Sequence, residues 1–193
     1  YDVSALWDLA PHDISIMLEL MGSPVAVNCS GLAYLNPSNH DVCTVNIHFE
    51  DNRMGIIHVS WLDPHKKREM TVVGSKKMAI YNDIESLEKI KIYDNSVEFE
   101  DLSPQDDKTY ADFRVSYRYG DIHSPRINEV EPLKAELLDF IDCITANKQP
   151  KTDGRNGRDV VQVLEAADLS LNQKMGDVHL STLKRAGSVK EMK

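Results

Sequence analysis

The segment Trp7-Asp8-Leu9-Ala10-Pro11-His12-Asp13 sets a carboxylate and an imidazole four residues apart. On a helix, residues at that spacing lie one turn apart and share a face. A carboxylate beside an imidazole holds the ring in one tautomer and raises its basicity, which suits a histidine that takes and returns a proton near neutral pH. Taken alone, the spacing reads first as a plain surface or capping contact and only second as catalysis. His48, His58, Asp63 and His65 are metal-ligand types, and His48 and His58 fall on adjacent strand patterns. They lack compact ligand spacing, so no metal site is expected. Lys66-Lys67-Arg68 reads as a solvated turn after a strand, with phosphate contact as the alternative. Nucleophilic catalysis has no support, because no serine sits in a G-x-S-x-G elbow and no cysteine has an adjacent histidine. A nicotinamide site of the usual kind needs a strand, then G-x-G-x-x-G, then a helix. No G-x-G occurs, and the Gly154/Gly157 pair precedes a helix with no strand leading into it. The chain is expected to hold no cofactor of its own.

Elements must position these groups. Across residues 6–21, Ile14, Met17, Leu18 and Met21 recur at spacings of three and four before Gly22-Ser23-Pro24 stops the pattern. Pro11 removes the hydrogen bond to the carbonyl of Trp7, which predicts a kink or a restart there. Alternation at Val25, Val27, Cys29 and Ala33, at Cys43, Val45, Ile47 and Phe49, and at Ile57, Val59 and Trp61 predicts three strands, the last two joined by an Asp51-Asn52 hairpin turn. Further strands are expected at 69–73, 78–81, 87–93, 97–100 and 113–119, with exposed connections at 103–112 and 121–129. Leu133, Leu137, Phe140, Ile141 and Ile144 form one helical stripe, and Val160, Leu164, Ala167 and Leu171 form another, separated by a break with Pro150, Gly154 and Gly157. An edge strand is expected at 178–180. Short connections favour antiparallel pairing. The class predicted is α+β: an open, mainly antiparallel sheet with helices packed on one face and the other face, broad and half apolar, available for a homo-oligomer.

The 193 residues suit a single domain over 1–193. A net charge of −9, from 22 basic and 31 acidic side chains, argues against general affinity for nucleic acid or anionic lipid and leaves room for a local basic pocket. No apolar run approaches the roughly 20 residues that span a bilayer. No leader pattern is visible, a point of little weight in a chain that opens with Tyr1. Cys29, Cys43 and Cys143 form no C-x-x-C pair and read as reduced thiols of a cytoplasmic protein.

Four stretches in order carry a resemblance. They are the segment from Trp7 to Ile14; Val59-Ser60-Trp61-Leu62-Asp63-Pro64 with Lys66-Lys67-Arg68 and Val72-Val73-Gly74-Ser75-Lys76; Gly120-Asp121-Ile122, Pro125 and Glu131-Pro132-Leu133-Lys134-Ala135-Glu136 leading to Phe140-Ile141-Asp142-Cys143-Ile144; and Pro150-Lys151-Thr152-Asp153-Gly154 with Val160 to Ala167. Together they resemble the carboxy-terminal domain of the glucose–fructose oxidoreductase, inositol dehydrogenase and MocA (Gfo/Idh/MocA) family. The resemblance implies a longer parent whose amino-terminal domain binds NAD or NADP. This chain would then supply a substrate-binding sheet and a dimer or tetramer interface, and would be inactive alone, since the family's E-K-P lysine has no counterpart here. The implied substrate is a sugar or sugar nucleotide oxidised or reduced at a secondary hydroxyl. Asp8 and His12 match the family's acidic residue and histidine, where the histidine takes the hydroxyl proton as hydride leaves for the nicotinamide. Asp13 is carried over as a structural or pocket residue on the substrate side, and Lys66, Lys67, Tyr119 and His123 are taken as substrate contacts from their loop positions. The rival readings are a stand-alone binding or assembly module without catalysis and a sensor of sugar phosphates.

Overall fold

A computed structural model describes residues 3–99, 115–128, 130–173 and 176–186. The elements in order are α1 (Ala5–Met21), β1 (Pro24–Leu32), β2 (Val42–Phe49), β3 (Met54–Ser60), β4 (Glu69–Val73), β5 (Met78–Asn82), β6 (Ile90–Tyr93), β7 (Ser96–Phe99), β8 (Val115–Arg118), β9 (Ile122–His123), α2 (Pro132–Thr145), α3 (Gly154–Asn172), β10 (Val178–His179) and α4 (Leu180–Ala186). The chain divides into two compact units, Tyr1–Pro64 with Leu137–Lys193, and His65–Glu136.

In the first unit the strands form an antiparallel sheet of order β10-β1-β2-β3. Alternation is strict in β2, where Cys43, Val45, Ile47 and Phe49 are all buried, and in β3, where Gly55, Ile57 and Val59 are. These residues face α1 and α3, which lie on one side of the sheet and against each other. Leu6, Ala10 and Ile14 of α1 and Val163, Leu164 and Ala167 of α3 complete the core. Burying each large side chain of this kind is worth about 1.5–3 kcal/mol, so the two helical stripes and the three strand patterns support one another. The far face of the sheet carries Asn28, Ser30, Leu32, Val42, Thr44, Asn46, His48, Met54, Ile56 and His58, a surface of mixed polar and apolar side chains.

The hairpin between β2 and β3 turns through Asp51 and Asn52, both with positive φ (57° and 56°). Two successive left-handed residues match the twist of the flanking strands, as the Asp-Asn pair predicts. Gly22 ends α1 at φ 80° while its N–H donates to the carbonyl of Leu18. The helix runs unbroken through Pro11, so the expected restart does not occur.

In the second unit β4-β5-β6-β9 form an antiparallel sheet, and β7 pairs with β8. The fold class read from the sequence, α+β with antiparallel strands, is borne out, although the strands part into separate sheets. The stretch expected to be a loop at 121–129 contains the short β9, and the expected edge strand at 178–180 stops at His179, where α4 begins. The connection expected at 103–112 lies outside the described residues, as do Glu100 and residues 113–114 of two expected strands and Glu129 of the expected loop.

Helix α2 forms where its stripe predicts, yet Leu133, Leu137, Phe140, Ile141 and Ile144 are each more than half exposed. No described helix is long and apolar enough to cross a membrane.

Candidate active site on the first helix

Helix α1 buries Ala5, Leu6, Ala10 and Ile14 and turns Asp8 and His12 to solvent. The three-and-four spacing that drives the buried stripe into the core leaves those two residues together on the opposite side. Asp8 lies in the first turn, where a negative side chain complements the partial positive charge of the helix start. No side-chain cap closes that start. Instead the N–H of Ala5 donates to the carbonyl of His40 at 2.9 Å, so a neighbouring loop satisfies one of the first free amides.

The loop is organised by Asp41, a buried carboxylate with 1% of its surface exposed. Its Oδ2 accepts from the N–H groups of Tyr34 at 2.5 Å and Leu35 at 2.8 Å, and its carbonyl accepts from Trp61 N–H at 3.0 Å. Trp61 in turn donates its indole N–H to Asp8 Oδ2 at 3.0 Å. Among the described residues no hydrogen bond joins Asp8 to His12. The carboxylate that sequence spacing assigns to the imidazole is thus held by an indole 53 positions away. Neither Asp41 nor Trp61 was legible as part of this arrangement, because their contacts are long-range. The only local signal is that Trp61 continues the alternation of β3 and stands where the strand ends.

Asp13 is half-buried on α1. The remaining candidate residues belong to the second unit: Lys66 and Lys67 are exposed ahead of β4, Tyr119 is exposed after β8, and His123 is exposed on β9 opposite Ile92. Among the described residues no hydrogen bond or ion pair connects these four to one another. His48 and His58 do fall on adjacent strands, but their register partners are Met54 and Thr44, and Thr44 Oγ1 lies 3.4 Å from His58 Nδ1. No group of three potential ligands that could hold a metal occurs among the described residues.

Cys29 and Cys43 are buried on the core face of β1 and β2 and are not bridged. A hydrogen bond between the two thiols, together with burial, holds the Cys29 thiol far above its ordinary range. A thiol kept protonated in this way is a packing group rather than a nucleophile.

A cleft of about 530 Å³ runs along α3 and α4, lined by Gly154, Gly157, Arg158, Val161, Gln162 and Leu183 among others. It contains none of the candidate residues. The start of α3 could attract a dinucleotide phosphate only with its amides free. Asp153 Oδ1 already accepts from the N–H groups of Arg155 at 2.8 Å and Asn156 at 3.1 Å. A carboxylate stands where the phosphate would go, and the segment before it comes from α2 rather than from a strand. The start of α3 therefore does not fit a dinucleotide phosphate.

The first unit is thus an antiparallel sheet with two helices on one face, the first of which presents an acid and a histidine to solvent. Residues 2–80 match the family model described as the GFO/IDH/MocA C-terminal domain. The resemblance read from the sequence is borne out, by that match over the first stretches and by fold over most of the rest. UDP-N-acetylglucosamine 3-dehydrogenase GnnA from Acidithiobacillus ferrooxidans is similar in structure with a TM-score of 0.67 at 20% identity, over 90% of this chain and 49% of that one. The WlbA dehydrogenase from Bordetella pertussis, solved with NADH and UDP-GlcNAcA, gives 0.59 at 18% identity over 90% and 44%. A levoglucosan dehydrogenase in complex with NADH gives 0.68 at 15% identity over 92% and 50%. At these identities the likeness establishes the fold, and the chain spans about half the length of those proteins. A comparison with curated protein sequences finds no match.

Proposed function

We propose that this chain is the substrate-binding and oligomer-forming half of an NAD(P)-dependent oxidoreductase acting on a secondary hydroxyl of a sugar or sugar nucleotide. In this reading 1–193 works as one domain of a cytoplasmic enzyme and is inactive without a cofactor-binding half. The observation that carries the proposal is the placement of Asp8 and His12 on the solvent side of α1, within the stretch matched by the family model.

His12 accepts the proton of the reacting hydroxyl, Asp8 sets the charge around it, and Asp13, half-buried on the same helix, is a further substrate contact. Lys66 and Lys67 are suited to the diphosphate of a sugar nucleotide, and Tyr119 and His123 offer hydrogen bonds to sugar hydroxyls. The dinucleotide, held by the other half, supplies the hydride chemistry. Structural relatives solved with NADH and with UDP-linked sugars support this choice of cofactor and substrate class.

The test is His12→Ala in a longer polypeptide that joins this chain to its cofactor-binding half. Turnover on UDP-sugars is expected to fall by about 10²–10⁴-fold, the usual scale for losing a general base. Near-normal turnover in that variant would refute the assignment.

A further inference from the structure

We infer that Trp61 is the positioning residue for Asp8, and that the indole rather than His12 sets the orientation of that carboxylate. The inference rests on the proposed role of His12 and adds a residue to that site. Trp61 stands just after β3, half-buried, with its indole N–H 3.0 Å from Asp8 Oδ2. Its own backbone is fixed by a 3.0 Å bond to the carbonyl of Asp41. Asp41 is also tied to Leu32, through its N–H to that residue's carbonyl at 3.0 Å. The adjacent His40 carbonyl holds the first amide of α1. The end of β3 and the start of α1 are therefore anchored to the same two loop residues, and the indole spans the short remaining gap.

An indole N–H is suited to this task. It donates only, and it does not titrate in the range where carboxylates and imidazoles do. A lysine or arginine there would add a charge that competes with an imidazolium for the carboxylate. With Oδ2 engaged by Trp61, Asp8 Oδ1 accepts no hydrogen bond among the described residues and is left for a charged neighbour. A carboxylate fixed through one oxygen loses rotational freedom before substrate arrives, so less ordering is needed when charge develops on the ring one turn away.

Two measurements test the assignment. In the 193-residue chain, the indole N–H resonance of Trp61 is expected to move in Asp8→Asn, and by more than that of Trp7, the other tryptophan. A Trp61 resonance indifferent to Asp8→Asn would overturn the inference, whatever the activity. In the longer polypeptide, Trp61→Phe keeps an aromatic ring and removes the donor. It is expected to lower kcat about 10-fold with little change in KM, the scale of one hydrogen bond to a charged group. In an Asp8→Asn background the same change should have little further effect, because both act through one contact. Additive losses would overturn the positioning role and point to packing alone. If His12→Ala is impaired while Trp61→Phe is normal, the positioning role fails and the proposed function stands. If His12→Ala is normal, both fall.

Discussion

Ser170 shows how a single hydroxyl can complete a sheet. Strand β10 pairs with β1 only at Ala26 and Val27, so the N–H of Cys29 lies beyond the reach of that ladder. Ser170 Oγ, fully buried on α3, accepts it at 3.0 Å and donates onward to the carbonyl of Gly176 at 3.1 Å. Ser170→Ala leaves a buried amide without its acceptor and is expected to cost about 1–3 kcal/mol. Urea unfolding would measure it, and a change within error would mean that the amide finds another acceptor. Nothing local in the sequence marks Ser170, because its role depends on where a strand formed by residues 178–179 ends. The same distinction separates what could and could not be read at the candidate site. The Asp8–His12 spacing was legible because it is local, but the partner that Asp8 takes is set by tertiary packing.

Helices and strands announced themselves where burial is one-sided. The alternation of β2 and the three-and-four stripe of α1 locate those elements to within a residue or two, because each has one face in the core, whereas α3 begins at Gly154, inside the expected break and six residues before its stripe. Helix α4 was missed, since a seven-residue helix shows too few turns to display a period. Two glycines test how tightly the elements meet. A Cβ on Gly31 would come within 2.6 Å of the Val42 carbonyl oxygen and 2.9 Å of Cys43 Sγ, whereas one on Gly55 would meet chiefly the Met17 thioether, at 2.5 Å from Sδ. Backbone cannot move aside as a methionine end can, so Gly31→Ala is expected to destabilise by about 1–3 kcal/mol, and Gly55→Ala by clearly less. Thermal unfolding of the two variants side by side would decide it; equal losses would contradict the account.

The start of α3 gives a prediction in pH. Bonds from the Asn156 N–H and the Gln149 amide, with a further one from Arg155 N–H, hold the Asp153 carboxyl below its ordinary range. A carboxylate depressed in the folded state contributes its full stabilisation above the usual carboxylate range and loses it as pH falls through the lowered value. Hydrogen exchange at the Arg155 and Asn156 amides should therefore accelerate in acid, and Asp153→Asn should flatten that dependence. An unchanged pH profile in the variant would assign the loosening to another group.

For the molecule as a whole, the proposed oligomer is the claim most open to measurement. The far face of the first unit's sheet exposes Leu32, Met54 and Ile56 among Asn, Ser, Thr and His side chains. Two copies meeting through that face would place like residues opposite each other across a two-fold axis. Light scattering at micromolar concentration is expected to give a dimer or tetramer, and Ile56→Asp to give monomer. A monomer in the unmodified chain would remove the oligomer-forming part of the proposal. The net charge of −9 sets a condition on the experiment, because like-charged copies repel at low ionic strength.

The buried Asp41 has a consequence for the order in which parts of the first unit can come loose. Its backbone and the neighbouring His40 carbonyl grip the exit of β3 and the entry to α1, so one short loop knots the helix that carries His12 to the sheet beneath it.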